Sequence, residues 1–231
     1  MLPVNRERIE AMLGDDALVL DVGGWGRPWP RADWVIDVMP YETRGLYGAA
    51  ESQRERFSAE TWVERDICAR DPWPFADGQF DFAICSHTLE DVRDPVHVCA
   101  ELNRVARAGY IEAPSRLEEQ SWGVIGEHVG WSHHRWLVDV GDGEIEFVAK
   151  PHAIHANPEF HFPPGVADVL TDPERVQSLF WEGSFDSRER IFLDPDELDA
   201  YLAAPVAAHR DELVARLPRA GLGARLRARL G

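Results

Sequence analysis

Residues 71–95 read DPWPFADGQFDFAICSHTLEDVRDP, and this stretch decides the fold class. Ala76-Asp77-Gly78 is a turn signal. A compact apolar run follows, Phe80-Asp81-Phe82-Ala83-Ile84-Cys85, and breaks at Ser86-His87. A helix-like segment carrying Glu90 and Asp91 is expected to begin there. A buried strand that ends in polar residues and feeds a helix puts those residues at the carboxyl edge of an α/β sheet. Ligands bind at that edge.

Outward from this stretch, apolar runs alternate with helical patterns. Residues 5–13 read as a short amphipathic helix. Residues 17–22 (ALVLDV) form an apolar strand containing Asp21, followed by Gly23-Gly24-Trp25-Gly26. Residues 32–38 (ADWVIDV) are a second strand, closing on Asp37. A polar helix over 51–61 leads to a third strand at 62–66, and the fourth covers 79–86. Val96, Val98, Cys99, Leu102 and Val105 recur at helical spacing over 95–106. Residues 109–112 are a fifth strand, ended by Ala113-Pro114-Ser115. This alternation predicts an α/β fold with a doubly wound, Rossmann-like, mostly parallel sheet.

The pattern changes after Pro114. Alternating runs at 136–140 and 144–148, joined by Gly141-Asp142-Gly143, predict an antiparallel C-terminal hairpin. Residues 150–190, rich in Pro, His and aromatics, read as a long lid. A helix over 194–203 opens with Asp194 as N-cap and Pro195 at its first position. The expectation is one domain over 1–231 with a loop-rich, helical cap: 1–115 hold a nucleotide and 116–231 face its acceptor.

Composition narrows the function. The 231 residues are 45% hydrophobic and 28% charged, ordinary for a globular chain. A formal charge of −17 argues against nucleic acid or an anionic membrane as partner. Lys150 is the only lysine. Five arginines at 216, 219, 225, 227 and 229 read as a solvated helix end, in preference to an anion-binding tail. Cys68, Cys85 and Cys99 lack Cys-x-x-Cys spacing, so neither a disulfide framework nor a thiolate zinc site is expected. The charged N-terminus is not a signal peptide and no apolar run would span a bilayer, so the expected location is cytoplasmic.

Three acids stand at three successive strand ends. Asp21 precedes Gly23 and Gly24, whose missing side chains let backbone amides approach a ligand. Asp37 stands where an acid can accept both hydroxyls of a ribose. Asp66 and Ile67 form a polar–apolar pair suited to an adenine amino group and ring face. Each acid taken singly also suits helix capping at a strand–helix junction.

Trp73-Pro74-Phe75, Asp77, Phe80-Asp81, Leu89-Glu90 and Val92 resemble the fourth-strand region of class I S-adenosylmethionine-dependent methyltransferases, especially the small methyltransferase-domain group. Asp91 replaces the histidine usual after the glutamate. The resemblance covers roughly residues 15–115 and implies S-adenosylmethionine as cofactor. It places Asp21, Gly23 and Gly24 near the methionine portion, Asp37 on the ribose, Asp66 and Ile67 on the adenine, and Ser86 at the same edge. The glycine loop departs from the family's Asp-x-Gly-x-Gly-x-Gly pattern by having Trp25 and Arg27, with Pro28 and Pro30 stiffening the return.

Methyl transfer from a sulfonium requires alignment and, for a hydroxyl or ammonium acceptor, a base. His87 directly follows the fourth strand and is the first candidate, though a loop histidine capping the next helix reads equally well. His134 is the second. His128, His133, His134, His152, His155 and His161 fall within thirty-four residues. They suggest zinc or iron ligands, but the surrounding prolines favour imidazoles of a loop-rich lid, and no metal is expected. Trp131, His133 and Arg135, with Ser115 and Arg116, suit a small-molecule acceptor, sugar-containing or anionic. The expected activity is O- or N-methyl transfer, with a homodimer left open. A metal-dependent hydrolase or lyase, or a non-catalytic binding protein, are the competing readings.

Overall fold

The computed structural model describes residues 1–48 and 54–218. Its centre is a six-stranded sheet in the order β3-β2-β1-β4-β5-β8. The strands are β1 (Val19–Val22), β2 (Trp34–Asp37), β3 (Trp62–Glu64), β4 (Phe82–Ser86), β5 (Ala108–Pro114) and β8 (Val176–Glu182). The first five run parallel, and β8 pairs antiparallel with β5. A second sheet, β6-β7-β9, comprises Trp136–Gly141, Glu144–Ala149 and Asp186–Glu189. This is the expected α/β, mostly parallel, Rossmann-like architecture with its antiparallel hairpin.

The central strands read as continuous apolar runs because the sheet is covered on both faces. All four residues of β1 are buried, as are the first four of β4. On one face lies the helix α1 (Pro3–Met12), whose Ile9 packs with Val19, Trp29, Val35, Phe82 and Tyr110. On the other, α2 (Pro95–Val105) turns Val98, Cys99, Leu102 and Val105 onto Leu20, Ile36, Ala83 and Ile111. Asp94 accepts the His97 N–H at 3.0 Å and Pro95 sits at the first position, so α2 starts sharply. Val138, Ile145 and Phe147 of the hairpin join this second core, so the two halves of the sequence share one apolar cluster.

The alternation that looked like strand–helix–strand is sparser in helix than expected. The β1–β2 return holds only a 3-10 turn, Gly24–Gly26, and the β2–β3 segment holds Tyr41–Thr43 and Ala59–Thr61 as 3-10 turns. The polar helix expected over 51–61 is therefore absent from residues 54–61, while 51–53 lie outside the described residues. Trp29 and Phe57 fill in where helices would, burying large aromatics in the α1-side core. The helix expected from His87 is a turn, and helix begins only at Pro95. Residues 150–190 are not wholly a lid. They contain single-turn helices α4 (Ala153–Ala156), α5 (Val166–Val169) and α6 (Asp172–Arg175), then β8 and β9, which extend both sheets. The helix expected at 194–203 runs from Pro195 to Ala215 (α7).

One close approach sets the β5–β8 edge. A Cβ on Gly109 would lie 2.4 Å from the Ala83 carbonyl oxygen and 2.6 Å from the Trp181 ring. Neither the β4 backbone nor a buried indole can yield easily, so Gly109→Ala overpacks the sheet. The expected loss is about 1–3 kcal/mol in urea unfolding. An unchanged unfolding midpoint would contradict this packing.

Candidate functional site

The strand order reverses between β1 and β4, and ligands bind outside the carboxyl ends of the strands at such a switch point. Here three glycines stand beside it, each approached closely by a neighbouring side chain. Gly23 is left-handed (φ 75°), and a Cβ on it would strike the Thr88 hydroxyl at 2.2 Å. A Cβ on Gly24 would meet the Asp21 carboxylate at 2.5 Å, and one on Gly26 the Tyr47 ring at 2.9 Å. Thr88 and Asp21 thus require glycine at 23 and 24, while the exposed Tyr47 ring could yield to a side chain at 26. Asp21 is buried and accepts the Trp29 N–H at 2.8 Å. Burial raises its carboxyl to about 7, and the nearby Asp37 adds to the rise. Its role is to hold the turn.

Asp37 closes β2 and is 7% exposed. Its Oδ1 accepts the Met39 N–H at 2.8 Å and its Oδ2 the Trp25 N–H at 3.0 Å. The Val38 N–H also acts on the carboxylate, which still has acceptor capacity beyond these contacts. Burial raises this carboxyl above its ordinary value despite those N–H groups. Asp66 accepts from Cys68 N–H and pairs with Arg93 at 2.7 Å, while Ile67 is buried beside it. Asp37 and the Asp66–Ile67 corner, the positions expected to face ribose and adenine, thus stand at and just beyond the ends of the neighbouring strands β2 and β3. The glycine turn expected to face the methionine portion packs closely against Thr88, Asp21 and Tyr47.

Glu112 on β5 is the hub of the adjacent edge and is 1% exposed. It accepts from Tyr110 Oη at 2.5 Å and Leu2 N–H at 2.9 Å. The Met1 ammonium lies 3.0 Å away, His87 Nε2 3.2 Å and Ser86 Oγ 3.3 Å. Burial alone would raise this carboxyl, but the donors, His87 foremost, carry it well below the usual range. Ser86 is therefore tied to Glu112.

His87 is the only described non-glycine residue with positive φ, at 54°. Such strain persists where surrounding contacts impose it. Its ring bridges Glu112 and Glu90, with Nδ1 3.4 Å from Glu90 Oε1. Burial pulls against protonation, yet the two carboxylates outweigh it and raise the imidazole to about 9. The shift favours the protonated ring, the form that cannot accept a proton, at the residue expected to act as base. Glu90 is 1% exposed, and beyond the 3.4 Å contact of its Oε1 with His87 its oxygens have no partner.

The expected acceptor residues divide into two groups. Ser115 caps the short helix α3 (Arg116–Glu119), accepting the Glu118 N–H at 3.3 Å and donating to Glu174 O at 2.5 Å. Arg116 is buried over the Tyr201 ring and pairs with Asp139 at 3.2 Å. The Ser115 hydroxyl is committed within the fold, whereas Arg116 keeps a buried Nη2 with no hydrogen-bond partner. Trp131, His133 and His134 do converge: Trp131 stacks on His134 and meets His133 edge-on. Arg135 is exposed, and its N–H donates to Glu90 O at 2.7 Å.

Sequence reasoning missed Glu119, Lys150 and Asp91 as members of this group. Glu119 is 2% exposed, accepts from His134 Nδ1 at 2.7 Å, and is gripped by Lys150 Nζ. The one signal was that Lys150 is the sole lysine. The remaining histidines stay apart in smaller contacts, with His155 Nδ1 accepting the Val129 N–H and His161 against Trp122.

Comparison with known proteins gives a family model, "Methyltransferase domain", matching residues 40–111. That segment includes Asp66, Ile67, Ser86, His87 and Glu90; it begins after Asp37 and the glycine turn. Curated proteins give no match. Among solved structures, the chain is similar to an S-adenosylmethionine-dependent methyltransferase from Aquifex aeolicus, at 19% identity and TM-score 0.34 over 48% of this chain and 64% of that one. It is similar to another from Mesorhizobium loti, at 15% identity and TM-score 0.36 over 62% and 63%. The [4+2]-cyclase SpnF aligns at 19% identity and TM-score 0.34 over 46% of this chain and 42% of that one. Each alignment spans less than two thirds of the other protein. The segment 40–111 thus resembles a methyltransferase domain, within a Rossmann-like sheet.

His87 supplies a pH test. Its raised value means that the stabilisation from its two carboxylates is full below 6.5, its ordinary value, and is lost as pH rises through about 9. His87→Gln is therefore expected to cost stability at pH 6 and progressively less by pH 9, with the wild-type imidazole titrating by NMR well above neutrality. A midpoint at or below 6.5 would contradict the clamp.

Proposed function

We propose that the protein is an S-adenosylmethionine-dependent methyltransferase acting on a small-molecule acceptor by O- or N-methyl transfer. The observation that carries the reading is Asp37. It is a buried acid at the end of β2, beside the switch point, with acceptor capacity left over after its contacts with the Met39, Trp25 and Val38 N–H groups. Asp37 would hold the ribose and the Asp66–Ile67 corner the adenine. The bound cofactor would supply the electrophilic methyl group.

The chain's own residues do the rest. Residues 1–115 would form the cofactor side and 116–231 the acceptor side, within one unit, a division supported by the core shared between the halves. His87 as imidazolium holds Glu90 and Glu112 in place. We assign proton acceptance to Glu90, whose Oε1 faces His87 while its Oε2 has no hydrogen-bond partner. A neutral or amine-bearing acceptor, a sugar hydroxyl included, suits a base such as Glu90. Among the described residues no helix is long and apolar enough to cross a membrane.

Calorimetry with S-adenosylhomocysteine tests the reading. Micromolar binding is expected, weakened at least tenfold by Asp37→Asn, as loss of a charged acceptor to the ribose costs about 1.5–3 kcal/mol. Asn keeps one acceptor for the backbone, and thermal unfolding checks that the turn survives. Absence of binding to the unmodified protein would overturn the proposal.

A further inference from the structure

Between the β4–α2 loop and the segment entering β6 lies a cluster outside the cofactor edge. Three hydrogen bonds stitch these segments together. Arg135 N–H and Trp136 N–H donate to Glu90 O at 2.7 and 3.2 Å, and Trp136 Nε1 donates to Val92 O at 2.7 Å. They bring Asp91 against His133 and His134, with one ligand atom from each residue within 4.8 Å of the others.

The orientation of His134 is the informative feature. A carboxylate only accepts, so the 2.7 Å contact from Nδ1 to Glu119 Oε2 puts the ring proton on Nδ1. Nε2 is left with its lone pair, facing Asp91 Oδ1 at 3.9 Å. That gap is too long for a hydrogen bond. It suits two ligands of one ion, since bonds of roughly 2.0–2.2 Å put neighbouring donors some 3–4 Å apart. Asp91 Oδ1 is itself buried and has no hydrogen-bond partner. Metal-binding histidines characteristically donate their other N–H to a carboxylate, which fixes tautomer and ring angle.

That carboxylate is itself held. Lys150 Nζ contacts Glu119 Oε1 and also donates to Val129 O at 3.1 Å and Trp131 O at 3.0 Å. Trp131 stacks on the His134 ring with 25° between the planes. A buried lysine and glutamate are costly to desolvate, and here both serve to aim one imidazole.

We propose that Asp91, His133 and His134 bind a divalent first-row transition-metal ion, with Glu119 and Lys150 as positioning residues. Two imidazoles and one carboxylate match zinc or ferrous iron and leave coordination positions open on the acceptor side. The histidine run thus contains a metal site at 133–134, contrary to the expectation from sequence, while its other members remain outside it.

Titration of the full, tag-free chain with zinc chloride tests this, with cobalt(II) absorption reporting nitrogen ligation. One equivalent is expected to bind the unmodified protein and raise its unfolding temperature. Asp91→Asn and His133→Ala are each expected to weaken binding at least tenfold. His133 is exposed, so its removal leaves the core intact. Glu119→Gln, which touches no metal, is expected to weaken binding 10–100-fold with the same stoichiometry, and His155→Ala to leave it unchanged. No uptake by the unmodified protein, or uptake indifferent to Asp91→Asn and His133→Ala, would overturn the site. Neither result depends on S-adenosylhomocysteine binding.

Discussion

The burial of the Glu112 carboxylate is the constraint on which the rest depends. An ionised group at 1% exposure is tolerable only when its lone pairs are satisfied. The partners come from three directions: the chain entering α1, the end of β4, and Tyr110 on β5 itself. Meeting that demand anchors α1 over its sheet face. It also draws in His87, whose backbone is left-handed and whose Nε2 lies 3.2 Å from the carboxylate. Structure and chemistry at this edge follow from one carboxylate.

From Glu112 the polar network extends through His87 to Glu90, and Glu90's own carbonyl receives two N–H groups from the segment that enters β6. The β4–α2 loop therefore serves both halves. Its side chains face the cofactor edge on one flank, and through Asp91 they face His133 and His134 on the other. That explains why a short loop of turns, and not the expected helix, follows β4: a helical ladder would have withdrawn the Glu90 carbonyl from Arg135 and Trp136.

The parallel sheet was legible because buried strands such as ALVLDV and FDFAIC are apolar throughout, and because turn residues punctuate them. Strands β8 and β9 were not. VQSLFWE mixes polar residues into an edge strand, whose partners lie sixty or more residues upstream, so no local pattern announces it. Missing crossover helices were only partly visible: six residues between Gly26 and Asp33 left no room after the glycine turn, but nothing flagged Phe57 or Trp29 as their replacements in the core. At the site, strand-end acids could be read by position. Partnerships across long separations, such as Glu119 with Lys150 or Ser115 with Glu174, could not.

The glycine turn, the one point where the chain leaves the expected cofactor pattern, is also where its glycines answer to protein neighbours and not to an open cradle. The account therefore rests on the ribose end of the site. A crystal structure with S-adenosylhomocysteine is the most direct measurement. The account requires the ribose hydroxyls to sit on the free lone pairs of Asp37, with the adenine beside Asp66 and Ile67. Nucleoside density elsewhere, with the Asp37 carboxylate contacting only the Trp25, Val38 and Met39 N–H groups, would contradict it.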